Sequence, residues 1–235
     1  SSGATVSAIH CITPTNFPQA DTVTIEVALN GQQFTTNGLL FHFVAQVDSL
    51  SPVRGPAKGD TLISVRGDGF TDTGSSLVCR FGDLATVPAV FNSTYLVFCV
   101  SPEVEEEQTT VELELSMDGG VYLTDNHNEF SYYRTPHVVA IGLEYASVTV
   151  LGAEYLTIHG TEFAYSPQLA VRFGFDDVVA TGSIIISGDG RSPITCFTPD
   201  VRRDTRFPTD VYVEVTMNGQ QYTADRVSLN FYDPR

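Results

Sequence analysis

Three stretches of this chain are near copies of one another, and that constrains the fold more than any composition value. The first is Cys11-Ile12-Thr13-Pro14, then DTVTIEVALNGQQF from Asp21 to Phe34, then Leu40-Phe41-His42-Phe43. The second is Cys99-Val100-Ser101-Pro102, then TVELELSMDGGVY from Thr110 to Tyr122, then Glu129-Phe130-Ser131-Tyr132. The third is Cys196-Phe197-Thr198-Pro199, then DVYVEVTMNGQQY from Asp210 to Tyr222, then Leu229-Asn230-Phe231-Tyr232. The three cysteines stand roughly 90–100 residues apart, a period that means domains in series rather than a short-unit solenoid.

Each copy follows the same physical logic. TIEVAL, VELELS and VYVEVT alternate apolar and polar, the period of a strand with one buried face. Asn30-Gly31, Asp118-Gly119 and Asn218-Gly219 follow at once, and such dipeptides take the positive-φ positions of tight hairpin turns. The expected result is a hairpin whose second strand starts at Phe34, Tyr122 or Tyr222, and a closing aromatic strand. The preceding halves also repeat. Val47 to Phe70 and Val138 to Phe163 each hold a short strand, an alternating strand, then Gly, two residues and Phe. Cys79-Arg80-Phe81-Gly82 and Val171-Arg172-Phe173-Gly174 come next. Short strands with regular turn signals indicate β-sandwiches, and no segment has helical periodicity. The expected class is all-β, in tandem sandwiches.

The boundaries follow from the copies. Residues 1–45 read as the C-terminal half of a repeat, 46–134 as a whole repeat, and 135–235 as a second, divergent one. Residues 1–45 lack a front half and need a partner segment, upstream or on another chain. The connections Phe43 to Val47 and Tyr132 to Val138 are short and bulky, and the second contains Pro136, which favours a stiff array.

Charge narrows the partners. The net charge is −16, from 28 acidic and 12 basic residues. A nucleic-acid binder needs a basic face to release cations from phosphates, so nucleic acid is excluded, as is docking on an anionic membrane. Acidity instead keeps a long protein soluble and non-sticky. No run of about 18 apolar residues is present to span a bilayer. With 42% hydrophobic residues over 235 positions, a core folds without staples.

Pro52, Gly55, Gly59, Thr61, Gly67, Gly69, Phe70, Cys79, Phe81, Gly82, Cys99 and Pro102 occur in an order that resembles the IPT/TIG family, the immunoglobulin-like fold shared by plexins and transcription factors. The last repeat is similar through Gly160, Phe163, Phe173, Gly174, Cys196 and Pro199, but has Glu144-Tyr145-Ala146 in place of the early Pro-Gly signature. The resemblance implies immunoglobulin-like sandwiches used for adhesion or spacing. It does not choose a partner, because fold does not fix function. It also implies one disulfide, Cys79 to Cys99. Val171 replaces the first cysteine of the last repeat, leaving Cys196 without a partner in its domain, and the partner of Cys11 would lie in the missing front half. The alternative is that all four are reduced core thiols.

Asn92-Ser93-Thr94 is an N-glycosylation sequon, expected in a loop before the Cys99 strand. Sequon and bridge together point to an extracellular or cell-surface location. Arg66-Gly67-Asp68 spells an integrin-binding tripeptide, but His159-Gly160-Thr161 holds the same place, so the glycine is a backbone requirement. Glu103, Glu105, Glu106 and Glu107 read as a solvated face, and neither they nor Asp176-Asp177 have the oxygen spacing of a calcium loop. The five histidines lack ligand spacing, and no nucleophile elbow or phosphate loop is present.

No catalytic, cofactor or metal site is therefore expected. The function read from the sequence is a non-catalytic structural or adhesion segment of a large extracellular multi-repeat protein. Its partners are proteins or other copies of itself, and open strand edges offer a route to filaments. The alternatives are the stalk of a plexin-like receptor ectodomain and an accessory module of a secreted polysaccharide-active enzyme.

Overall fold

The computed structural model describes residues 8–12, 22–42, 45–105, 109–142, 147–175, 177–184 and 192–234. Of the motif residues above, Thr13, Pro14, Asp21, Phe43, Glu106, Glu107, Glu144 to Ala146 and Asp176 lie outside them. The described chain is built of strands. An N-terminal ribbon pairs β1 (Thr22–Ile25) with β2 (Leu39–His42). A first sandwich holds β3 (Gln46–Ser51), β4 (Arg54–Pro56), β5 (Leu62–Asp68), β6 (Val78–Phe81), β7 (Ala85–Ser93), β8 (Leu96–Val100), β9 (Thr110–Ser116) and β10 (Glu129–Tyr133). A second sandwich holds β11 (His137–Gly142), β12 (Ser147–Thr149), β13 (Tyr155–Thr161), β14 (Ala170–Phe173), β15 (Val179–Thr181), β16 (Ser183–Ile184), β17 (Ile194–Phe197), β18 (Asp210–Thr216) and β19 (Ser228–Tyr232).

Alternation explains the layers. Along β6 Cys79 and Phe81 point inward, and along β13 Leu156 and Ile158 do, with less buried residues between them. Two separate cores result. One gathers Ile63, Val65, Phe70, Phe81, Val97, Leu113 and Phe130; the other gathers Val148, Leu156, Ile158, Val171, Phe173, Ile194 and Phe231. Each such side chain contributes about 1.5–3 kcal/mol by leaving water. Edge-to-face rings mark both centres, Phe81–Phe130 at 5.8 Å and Phe173–Phe231 at 6.0 Å.

In the first sandwich the strand orders are β3-β5-β8-β7 and β7-β6-β9-β10-β4. β7 serves both layers, pairing β6 through Ala85–Pro88 and β8 through Ala89–Ser93. In the second the orders are β11-β13-β17-β16 and β12-β19-β18-β14-β15, and the crossing strand is split at Gly182. The back pairs of all three units share one register: Val23 faces Phe41, Val111 faces Phe130, and Val211 faces Leu229.

The hairpins differ from expectation. The turns form, with Gly31, Gly119 and Gly219 at positive φ. The returning strands, however, start at Leu39, Glu129 and Ser228, not at Phe34, Tyr122 and Tyr222. Side-chain capping is the reason. Asn30 Oδ1 accepts the N–H groups of Gln32 and Gln33, Asp118 those of Val121 and Tyr122, and Asn218 those of Gln220 and Gln221. Thr35, Thr124 and Thr223 then accept, at the hydroxyl, the N–H of Val27, Leu115 and Val215. A hydroxyl has taken the bond that a ladder carbonyl would take, so regular pairing lapses.

A second difference concerns the last repeat. Gly152 occupies the place of Gly59 even though the surrounding signature is absent. Both have positive φ, and the next residues, Asp60 and Ala153, do too. A Cβ on either glycine would fall within 3 Å of the backbone at Pro102 or Pro199. The hydroxyls of Ser101 and Thr198 accept the N–H groups of Thr61 and Glu154, both at 3.1 Å. That accounts for the Cys-x-Ser/Thr-Pro pattern: its hydroxyl holds the loop that opens β5 or β13.

Candidate functional site

The feature with the most built geometry is the junction between the sandwiches. Only Arg134-Thr135-Pro136 separates β10 from β11. The turn after β18, Asn218-Gly219-Gln220-Gln221, lies against Asp60-Thr61-Leu62 at the start of β5. The Gln220 carboxamide accepts the Leu62 N–H at 2.9 Å and donates to the Leu62 carbonyl at 2.8 Å. It behaves as one more residue on the sheet ladder. Gln221 Nε2 donates to the Asp60 carbonyl at 2.6 Å. Thr61 Oγ1 donates to Gln221 Oε1 at 3.1 Å and accepts from Asn218 Nδ2 at 3.2 Å.

Thr61 is fully buried and Asn218 is 3% exposed. Opening this contact strands buried polar groups, at about 1–3 kcal/mol each. Two outer contacts flank it. The Arg54 guanidinium donates to the Tyr165 carbonyl at 2.7 Å, and Arg134 lies 3.6 Å from the Glu162 carboxylate.

Beside the clamp is a cleft of 420 Å³, lined by Lys58, Tyr133, Pro136, His137, Tyr222 and Asp225 among others. His137 Nδ1 sits 2.9 Å from one Asp225 oxygen, and the other oxygen accepts the Val138 N–H at 2.7 Å. Burial pushes the Tyr133 hydroxyl pKa upward, opposed by the nearby Arg54 charge. The cleft thus combines the Tyr133 and Tyr222 rings and the Gln221 amide with Lys58, Asp60 and the His137–Asp225 pair. The sequence reading missed this junction. The signal was there as Asn-Gly-Gln-Gln occurring twice, at 30–33 and 218–221, but its target on β5 is distant in the chain.

The structure joins Cys79 on β6 to Cys99 on β8, across the two layers, with Cα atoms 6.3 Å apart. Cys196 on β17 is buried, and desolvation pushes its thiol pKa up to about 12; Cys11 is exposed. Val171 pairs with Val215 as Cys79 pairs with Leu115, and Cys196 pairs with Leu156 as Cys99 pairs with Ile63. Val171→Cys is therefore expected to form a second bridge, to Cys196. Closing that loop stabilises the second sandwich by up to about 3 kcal/mol. Non-reducing peptide mapping and calorimetry check this. A thiol introduced by Val171→Cys that alkylates freely in the native state counts against it.

Asn92 is exposed, but it lies on β7 and not in a loop. The β7–β8 register shifts between Phe91 and Ser93, and the extra residue of this bulge is Asn92. The bulge leaves Asn92 outside the regular ladder, one residue before Ser93 closes β7 ahead of the Thr94-Tyr95 turn.

The IPT/TIG domain family model matches residues 45–132. The first sandwich is an IPT/TIG domain. The chain is also 28% identical to mouse plexin-A2 and 27% identical to human plexin-A2, in each case over 160 residues, 67% of this chain. It spans 8% of the length of those relatives. The fold is similar to that of the plexin A4 full extracellular region, with a TM-score of 0.52 and 19% identity over 83% of this chain and 17% of that one.

Within the IPT/TIG domain, Arg66-Gly67-Asp68 ends β5; Arg66 pairs with both β3 and β8, and Gly67 and Asp68 pair with β3. A Cβ on Gly67 would lie 1.9 Å from the Gln46 carbonyl oxygen; on Gly160 it would lie 2.1 Å from that of His137. The glycine thus serves strand packing next to a β-bulge, in both sandwiches alike. Among the described residues no cluster of His, Cys, Asp or Glu has metal-binding geometry. Asp177 is paired with Arg206 at 2.8 Å, which holds its pKa below the usual value. Among the described residues no helix is long and apolar enough to cross a membrane.

Proposed function

We propose that this chain is a non-catalytic spacer segment of a larger extracellular protein, holding successive sandwiches at a fixed relative angle. The chain would comprise half a repeat over 1–45 and whole repeats over 46–134 and 135–235. The observation that supports it is the Asn218–Gln221 clamp on Asp60–Leu62. A three-residue linker alone restricts reach; a buried polar clamp also restricts rotation. Fixed geometry is what a stalk needs and what a flexible tether lacks. The likeness to plexin-A2 favours, among stalks, that of a receptor ectodomain. Asn92 would carry a glycan on an outward face, and the Cys79–Cys99 bridge suits an oxidising compartment.

Gln220→Ala/Gln221→Ala is the decisive variant. It removes the carboxamides and leaves both cores untouched. Small-angle scattering is expected to show one fixed inter-sandwich distance for the parent chain and a broadened distribution for the variant. Each sandwich should still unfold cooperatively, with any loss of stability confined to the clamp, about 1–3 kcal/mol for each buried group left unpaired. Equal, broad distributions in both proteins would refute the spacer reading.

A further inference from the structure

The two outer faces of the first sandwich are unlike. On the β6-β9-β10 side the outward positions include Arg80, Glu112, Glu114 and Glu129, with Arg80 3.1 Å from Glu114. On the β5-β8-β7 side they are mostly apolar. Leu62 pairs with Val100, Ser64 with Phe98, and Phe98 in turn with Val90, so these side chains stand in adjacent rows. Leu62, Val100 and Val90 are 49%, 46% and 65% accessible, and Phe98 and Leu96 are half-buried. Arg66, opposite Leu96, brings the only charge into these rows. Carboxylates stand at the margin: Asp60 precedes the rows on the chain, Asp68 follows them, and Asp48 lies on neighbouring β3, all three exposed. A contiguous exposed apolar face on a chain of net charge −16 calls for a cover.

Asn92 stands at the border of that face. Phe91 pairs with Val97, and both are turned to the core, whereas Ser93 pairs with outward Leu96. The extra residue of the bulge, exposed Asn92, therefore doubles with Ser93 opposite Leu96, on the same side of the sheet as Val90. Asn92-Ser93-Thr94 is the only Asn-x-Ser/Thr sequence in the chain. The second sandwich has no such sequence, and where the first sets Ser64 opposite Phe98 it sets Thr157 opposite Thr195. The sequon and the aromatic centre of the face thus occur together, in one sandwich and not in the other.

We propose that the first sugars of a glycan on Asn92 lie across this face and cover it. The chemistry matches. A pyranose ring has an apolar side of C–H bonds and a rim of hydroxyls. The C–H side packs on Phe98, whose ring face is electron-rich, and on Val90 and Leu96. The rim meets the Ser64 hydroxyl and the Arg66 guanidinium. Size decides against a second copy as the cover. Three strands about 4.8 Å apart and five residues of about 3.3 Å long make a footprint of roughly 250 Å². A stable interface takes about 800 Å² per partner, and side-chain relief narrows that gap without closing it. Enlarging the contact would set Asp48, Asp60 and Asp68 of one acidic copy against the other. A glycan needs no such area, because its bond to Asn92 already supplies the effective concentration.

The covering rests on the glycan at Asn92 named in the proposed function, and the two fail separately. Intact mass of the whole chain, secreted from eukaryotic cells, reports occupancy; an empty Asn92 ends both. With Asn92 occupied, hydroxyl-radical footprinting at micromolar concentration reads the covering. Leu96, Phe98 and Val100 should label at least twofold less in the glycosylated chain than in Thr94→Ala, which keeps Asn92 but loses the sequon. Val53 and Leu84, exposed outside this face, should label equally in both. Val90→Ser, at an exposed position that leaves the core intact, should remove about half of the protection, because neighbouring contacts are coupled. Equal labelling of the face with Asn92 occupied would overturn the inference. So would protection that Val90→Ser leaves unchanged, since the sugars would then shade the face without packing on it. Protection of the glycosylated chain that disappears on dilution would give the face to a second copy and overturn it as well. None of these results depends on inter-sandwich stiffness, which the Gln220→Ala/Gln221→Ala variant reports.

Discussion

Gly67→Ala is expected to destabilise the first sandwich by about 3 kcal/mol or more, enough to move its melting by many degrees. The added Cβ would stand 1.9 Å from the Gln46 carbonyl oxygen and 2.7 Å from the Phe70 ring. The oxygen belongs to β3 and the ring to the core, so relief requires parting β3 from β5 at the bulge. Gly31→Ala is the control. It has positive φ and nothing within 4 Å of the new atom, so it carries only the backbone cost of about 1 kcal/mol. Calorimetry on the intact chain separates the two, with hydrogen exchange assigning the loss to β3 and β5. If Arg66-Gly67-Asp68 were a surface recognition tripeptide with no packing role, Gly67→Ala would change stability by less than about 0.5 kcal/mol. That outcome would revive the integrin reading.

Removing the Cys79–Cys99 bridge is the second large effect. The bridge spans a sequence separation of 20. Loop-closure entropy for a loop of that size amounts to about 3 kcal/mol of stability. Both cysteines are buried between the layers, so Cys79→Ala/Cys99→Ala also loses packing there. The first sandwich should melt earlier by an amount that reductant reproduces in the parent chain. The second sandwich, whose Cys196 is a free thiol, should be indifferent to reductant. A first sandwich whose melting does not respond to reductant would show that the bridge contributes nothing.

The back half of each unit was legible in the sequence because its signals are local. Alternation in VELELS and VYVEVT sets the buried face, and the aromatic closing strands were placed correctly at Phe130 and Phe231. What failed there was turn chemistry. Asn-Gly suggested a two-residue hairpin, whereas the threonines at 35, 124 and 223 capture ladder bonds with their hydroxyls and delay the return strand. Asn92 was displaced for a similar reason, because a β-bulge at the end of β7 has no sequence period of its own.

The copies in the chain determined by themselves that this protein is a series of sandwiches with short connections. That follows from pattern, and pattern needs no partner. What only the tertiary structure decided is how one sandwich grips the next. Gln220 and Leu62 are far apart in sequence, and a glutamine in a polar turn reads as solvent-facing. Its role depends on an unpaired N–H and C=O at the start of β5, left open because the β3 pairing ends two residues short, at Ser64. No local periodicity records where a neighbouring strand stops.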